Sequence, residues 1–235
     1  MKLIILSITE YKEKDGIVTA FNNEGVKTFR APGVLSPHSK NGLINNPLTL
    51  IDATLSESKT SKYLTLKEAE VLYSPLSGDM SIPYLTGIAI LNEVTIKLLD
   101  DEEKPLVYQD LLNATIALKN KINPYLISLK YILRVISLTG YALDVNHCVR
   151  CGEKQNMVAF SFIEGGFICG KCITSEDKND LDIPEMRLVR NVYITKDYLF
   201  EQFKFDEKIA VSLLKKLNIF IADAYGGKIN AIDMI

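Results

Sequence analysis

Cysteine occurs four times in the chain, and all four fall in one stretch, His147 to Cys172, which reads HCVRCGEKQNMVAFSFIEGGFICGKC. They form two Cys-x-x-Cys pairs, Cys148 with Cys151 and Cys169 with Cys172, in the pattern C-x2-C-x17-C-x2-C. That spacing lies within the window of a four-cysteine zinc site. A Cys-x-x-Cys turn aims two thiolates at one ion, each sulfur about 2.3 Å away, and two such turns complete a tetrahedron. Gly152 and Gly170 stand where the backbone must bend tightly. MVAFSF and GGFI read as two short strands joined by a turn at Gly165 and Gly166. The stretch therefore predicts a zinc ribbon, two knuckles with a hairpin between them, holding one structural Zn2+.

Other uses of four cysteines fit less well. Two disulfides need an oxidising compartment, and the opening MKLIILSITEYKEK reads as a first strand rather than a signal sequence. A redox-active pair needs a strand-then-helix setting that neither pair has. A catalytic zinc keeps an open position, which four thiolates would fill. His147 is available as a substitute ligand, but with four thiolates present it reads as a solvated or supporting side chain. The ligand type admits iron as well as zinc.

At 235 residues the chain has room for two modest domains, and 47% hydrophobic with 24% charged residues is an ordinary globular composition. No apolar run is long enough to span a bilayer, so a cytoplasmic protein is expected. The net charge of −2 means that any nucleic-acid contact must come from a local patch. Tryptophan is absent, which leaves base stacking to Tyr, Phe or Arg.

The first 73 or so residues read as β, with short runs at Leu3–Leu6, Gly16–Phe21, Val26–Arg30, Leu48–Ile51 and Tyr63–Leu66 separated by turn signals. Five short strands at this spacing suit a small barrel of the OB type. Ala31 to Asn46, rich in Pro, Gly, Ser and Asn, reads as a long exposed loop. From about residue 80 the period becomes helical. Helices are expected at Ser81–Leu99, with Ile88, Leu91, Thr95 and Leu98 on one face, at Leu106–Lys121, and from Pro124 to Thr139 with Gly140 as the stop. Asp100 to Pro105 reads as a solvated acidic loop. After the ribbon, a helix begins at Asp182-Ile183-Pro184-Glu185 and runs to about Gln202, and Asp206 caps a last one that ends at Gly226-Gly227. The tail from Lys228 to Ile235 is expected to be loosely held. The fold class is α+β. Residues 1–78 form an OB-fold-like barrel, and residues 79–235 a helical domain with the zinc-binding insertion at about 145–176.

The chain lacks a Walker A sequence, G-x-S-x-G, H-E-x-x-H and the zinc deaminase pattern. With only His38 and His147 available, a Ser-His-Asp or Cys-His site is disfavoured, and the acids at 100–103 read as a solvated charge run. A binding protein is expected rather than an enzyme. Lys12, Lys14, Lys27, Arg30 and Lys40 lie in the β part among Tyr11, Phe21 and Phe29, the composition of a single-strand groove, although Glu10, Glu13, Asp15 and Glu24 are interspersed. A second set, Lys130, Arg134, Arg150, Lys154 and Lys171, lies on and near the ribbon. Of these, Lys130, Arg134 and Arg150 are candidate DNA or partner contacts.

Ile132 to Cys172 resembles the zinc-containing segment of the RecO family, bacterial recombination mediators of the RecF pathway. The shared features are Gly140-Tyr141, Asp144, Cys148-Val149-Arg150-Cys151-Gly152, Phe160-Ser161, Gly165-Gly166 and Cys169-Gly170-Lys171-Cys172. TEYKEKDGIVTAFNNEGVKTFRAPGVLSPHSK is also similar to the family's opening OB domain. The resemblance implies binding of single- and double-stranded DNA, annealing of complementary strands, and contact with RecR and with the acidic C-terminal tail of the single-stranded-DNA-binding protein. Together these load recombinase onto coated single strands, at the bacterial nucleoid, without nucleotide hydrolysis. Where the family carries a run of Lys and Arg after the third strand, this chain has Arg30 to Lys40 with most of that charge gone. An adaptor that holds a protein partner without touching DNA is the competing reading.

Overall fold

In the computed structural model, residues 1–36, 38–57, 63–77, 80–196, 198–200 and 203–235 are described. Five strands come first: β1 (Lys2–Tyr11), β2 (Asp15–Asn22), β3 (Gly25–Ala31), β4 (Leu50–Ser56) and β5 (Leu64–Tyr73). They close in the order β1-β2-β3-β5-β4, with β3 and β5 parallel and the other pairs antiparallel. This is an OB-fold-like barrel. Side-chain alternation divides β1 and β2 between two cores. Leu3, Ile5, Val18, Ala20, Phe29 and Ile51 fill the barrel. Ile4, Leu6, Phe21 and Leu48 join the core of the helices instead. Leu48, at φ 58, lies outside any strand, so β4 starts later than its apolar run suggests. β1 and β5 extend beyond theirs, because pairing with β2 and β4 carries polar residues along.

Helices α1 (Ile82–Leu98), α2 (Tyr108–Lys119), α3 (Pro124–Leu138), α4 (Ile183–Ile194) and α5 (Glu207–Tyr225) follow. Ile88, Leu91, Thr95 and Leu98 of α1 are all buried, and Thr95 Oγ1 is 2.7 Å from the hydroxyl of Tyr131 in α3. Asn123 caps α3 by accepting from the Tyr125 and Leu126 amides. Asp182 and Glu185 form a capping box at α4. Gly226, at φ 72, ends α5. None of these helices is long and apolar enough to cross a membrane among the described residues. A small sheet lies between α3 and α4: β6 (Asp144–Cys148), β7 (Met157–Ser161) and β8 (Gly166–Cys169), in the order β6-β8-β7.

Beyond the strand ends, other expectations change. The loop after β3 is not simply exposed: Val34 and Ile44 are buried in the barrel core, and residues 40–44 form a 3-10 turn capped by Ser39. The tail is held. Ile229, Ala231 and Ile232 are buried, and Asn218 of α5 accepts from the Ile229 amide at 2.8 Å and donates to its carbonyl at 3.1 Å. Helix α4 ends at Ile194 rather than near 202, with Thr195 Oγ1 turned back onto the Asn191 carbonyl. Gln202 itself, like the proposed boundary at 78 and 79, lies outside the described residues.

Candidate metal centre and nucleic-acid face

Cys148 and Cys169 end β6 and β8 side by side, and both are buried. Cys151 and Cys172 follow on turns of the same form. The Gly152 amide donates to the Cys148 carbonyl at 2.8 Å, and the Ile173 amide to the Cys169 carbonyl at 3.1 Å. The parallel pairing of β6 with β8 brings the two turns together, and it depends on Gly166. A Cβ there would lie 2.3 Å from the Asp144 carbonyl oxygen.

The four Sγ atoms lie within 4.8 Å of one another, and those of Cys151 and Cys169 are 3.6 Å apart. A disulfide would need about 2.05 Å. Four sulfurs each about 2.3 Å from one ion stand about 3.8 Å apart in a tetrahedron. The cluster thus fits a metal ion and is not bridged, all four cysteines being free. Backbone groups already favour thiolate: the Cys169 amide points at Cys148 Sγ from 3.4 Å. Burial pushes the Cys148 thiol up, but the amides of Cys169, Arg150 and Cys151 outweigh it and bring it down to about 6. Cys172 is pushed up to about 12 by its contact with Cys151 and by burial. Without a cation the crowded sulfurs do not all ionise.

His147 stands outside the cluster. Asp144 Oδ1 accepts from the Asn146 and His147 amides at 2.8 Å, and Oδ2 lies 3.2 Å from His147 Nδ1. Burial works against charge on Asp144, yet these N–H groups hold its carboxyl below the usual range. Arg150 has an internal role that its position between two cysteines did not reveal. Nε and Nη2 bind Glu164 at 2.8 and 2.6 Å, Nη1 and Nη2 bind Asp177 at 2.8 and 2.5 Å, and Nη1 also reaches the Cys172 carbonyl at 2.7 Å. All five donors of the guanidinium are engaged. They tie one knuckle to the other and to the hairpin turn.

The other predicted cations divide in the same way. Lys130 Nζ donates to the carbonyls of Val192 and Tyr193 at 3.3 and 3.1 Å, and also to that of Thr195, closing the C-terminal end of α4. Arg134 Nε is 2.9 Å from Asp110 Oδ2. These two line a recess of about 290 Å³ between α2, α3 and α4, with Tyr193 and Tyr198. In the barrel, Arg30 binds Asp15 Oδ2 through Nε at 3.0 Å and Nη2 at 2.6 Å, while Asp15 Oδ1 accepts from the Gly33 amide. The Tyr11 ring, half in solvent, lies 5.5 Å from Lys12 Nζ and 5.8 Å from the Arg30 guanidinium carbon. Lys14 is in the same turn as Lys12, and its carbonyl accepts from the Leu35 amide. That contact brings the segment leading to Lys40 to this end of the barrel. Lys27 sits apart, toward the start of β3, opposite Ala20. Among the described residues, Lys12, Lys14, Lys27 and Lys40 make no ion pair.

The family model described as recombination protein O N terminal matches residues 1–75, the span of the barrel. The one described as recombination protein O C terminal matches residues 81–231, which include both Cys-x-x-Cys pairs. The chain belongs to the RecO family. The DNA repair protein RecO of Oceanobacillus iheyensis is 27% identical over 228 residues, covering 95% of this chain and 87% of that protein. That of Caldicellulosiruptor bescii is 28% identical, over 99% of this chain and 89% of its own length. That of Bacillus subtilis is 26% identical, over 81% and 75%. The resemblance to RecO first visible from Ile132 to Cys172 thus extends across barrel, helices and ribbon.

Proposed function

We propose that this RecO-family chain is a DNA repair and recombination mediator. It binds single- and double-stranded DNA, anneals complementary strands and, with RecR, helps load recombinase onto coated single strands in the bacterial cytoplasm, at the nucleoid. It works by binding rather than by chemistry of its own. The observation that carries this reading is the end of the barrel. There an exposed tyrosine stands between two cations, with Lys14 and Lys40 nearby, which make no ion pair among the described residues. A base stacks on Tyr11, flanked by the Asp15-held guanidinium of Arg30, while Lys12, Lys14 and Lys40 take phosphates, and Lys27 extends the track along β3. The barrel of residues 1–78 is the DNA unit. The helices of 79–235, with the insertion at about 145–176, are the partner unit.

Cys148, Cys151, Cys169 and Cys172 would hold one Zn2+, which when bound supplies a structural cross-link between the two knuckles. The chain's own residues prepare that site: Gly166 permits the close pairing, amides lower the Cys148 thiol, and Arg150 locks the turns. Elemental analysis checks the metal, and one zinc per chain is the expected result. Contact with RecR and with the acidic tail of the single-stranded-DNA-binding protein falls to this helical unit.

Fluorescence anisotropy with a labelled oligonucleotide tests the DNA reading. Affinity should fall linearly on a log scale with salt, because phosphate contacts release counterions. If no binding appears even at low salt, the adaptor reading replaces it. That alternative draws on Arg134 and Arg150 being committed to carboxylates of the protein itself.

A further inference from the structure

The β7–β8 turn and helix α5 enclose an apolar groove of about 580 Å³ that none of these roles uses. Its floor is the stacked pair Phe162 and Phe220, ring centroids 5.2 Å apart and 19° from parallel. Its lips are aliphatic. Ile163 at the tip of the turn is 93% exposed, and Ile219 on α5 is 65% exposed. A single exposed aliphatic residue is ordinary, but two flanking a recess floored by aromatic rings make a contiguous apolar trough. Among the described residues, Ile163 also has no internal task that would account for it. The other members of its turn each have one: Phe162 packs on Phe220, Glu164 binds Arg150, and Gly165 supplies φ 77.

The charge round the trough selects what can enter. Glu164 and Asp177 are engaged by Arg150, and Lys216 is engaged by the buried Glu185 at 2.6 Å. Asp180 is turned inward, its Oδ2 accepting from the Phe162 amide at 2.8 Å. Among the described residues that line the trough, this leaves Glu176 and Asp223 on the rim beside Lys178. This negative rim repels a phosphate backbone and attracts cations.

We infer that this groove docks a partner protein through a basic segment bearing one large apolar anchor, the anchor seated on Phe162 and Phe220 between Ile163 and Ile219, with flanking Lys or Arg on Asp223 and Glu176. The face is separate from the barrel end, so the inference does not depend on the DNA reading.

The test uses the full-length, zinc-loaded protein and a fluorescein-labelled heptapeptide, Gly-Lys-Arg-Leu-Lys-Arg-Gly. Two control peptides replace the leucine with serine, or every basic residue with glutamate. Saturable binding of the first peptide is expected, weakened about tenfold by the serine replacement, since burying a leucine side chain is worth at least that factor. The glutamate peptide should not bind. Ile163→Ser and Asp223→Lys should each weaken binding about fivefold or more. Both positions are at the surface, and a circular dichroism melt confirms that the variants are folded. DNA affinity of Ile163→Ser should match the parent. Equal binding of the leucine and serine peptides, no binding at all, or unchanged affinity in both variants overturns the inference. So does a dimer by light scattering that Ile163→Ser converts to monomer, which would assign the groove to self-association.

Discussion

The ribbon and the barrel end both carry a cluster of cations beside a turn, yet the two clusters are built in opposite ways. In the ribbon, Arg150 gives every N–H to the protein, and Lys171 lies 3.4 Å from Glu153. At the barrel end Arg30 is paired with Asp15, and among the described residues Lys12, Lys14 and Lys40 make no ion pair. Equal positive charge in a sequence therefore has two meanings. Where carboxylates from distant segments converge on it, it holds the fold. Where they do not, it is available to an outside ligand.

The comparison breaks or sharpens by experiment. Removing the metal centre has the largest expected effect, because binding energy at such a site is also folding energy. Cys148→Ser or Cys172→Ser should abolish stoichiometric metal and strip hydrogen-exchange protection from the ribbon and the helices packed on it, while amides of the barrel stay protected. Retention of full protection without metal would show that the side-chain clamp alone suffices. Arg150→Ala comes next. Thermal melts should show a less stable protein, and anisotropy an unchanged affinity for DNA; a loss of affinity comparable to that from the barrel lysines would erase the distinction. Lys12→Ala with Lys14→Ala should do the reverse, leaving the melt unaltered, weakening DNA binding several-fold and lowering the salt slope by about two. The smallest effect concerns Asp15. The Gly33 amide and the Arg30 guanidinium hold its carboxyl below the ordinary 3.8. Its contribution is present above that value and is lost as pH falls through the lower folded one. Urea midpoints of the parent should therefore drop more between about pH 6 and 3 than those of Asp15→Asn.

Much of this was readable from residue order. The cysteine cluster announces itself because a Cys-x-x-Cys turn is local, and the barrel because side chains alternate along its strands. The stripe Ile88, Leu91, Thr95 and Leu98 located α1 for the same reason. Most of what residue order hides depends on partners far along the chain. Strand β6 has no apolar signature of its own and exists because β8 pairs with it at Gly166 and Phe167. Arg150 looked like a surface charge because Glu164 and Asp177 reach it from other turns. Val34 and Ile44 sit in a segment whose Pro, Gly and Ser content suggested exposure, and two buried side chains were enough to anchor it. The end of α4 was overextended because Thr195 can close a helix through its own hydroxyl, which composition does not reveal.

The seal that Ile229 and Ile232 place on α1 has a consequence for the order in which the molecule is made. Glu93 of α1 accepts from the Asn230 amide across 137 positions of chain, and the residues beside that contact are buried. During synthesis the barrel strands emerge as a complete set and can pair at once. Helix α1 emerges soon after them, and one of its faces waits, uncovered, until the ribosome has passed the ribbon and α5. Throughout that interval this apolar face lacks its cover from the end of the chain, and transiently exposed surface of that kind favours aggregation.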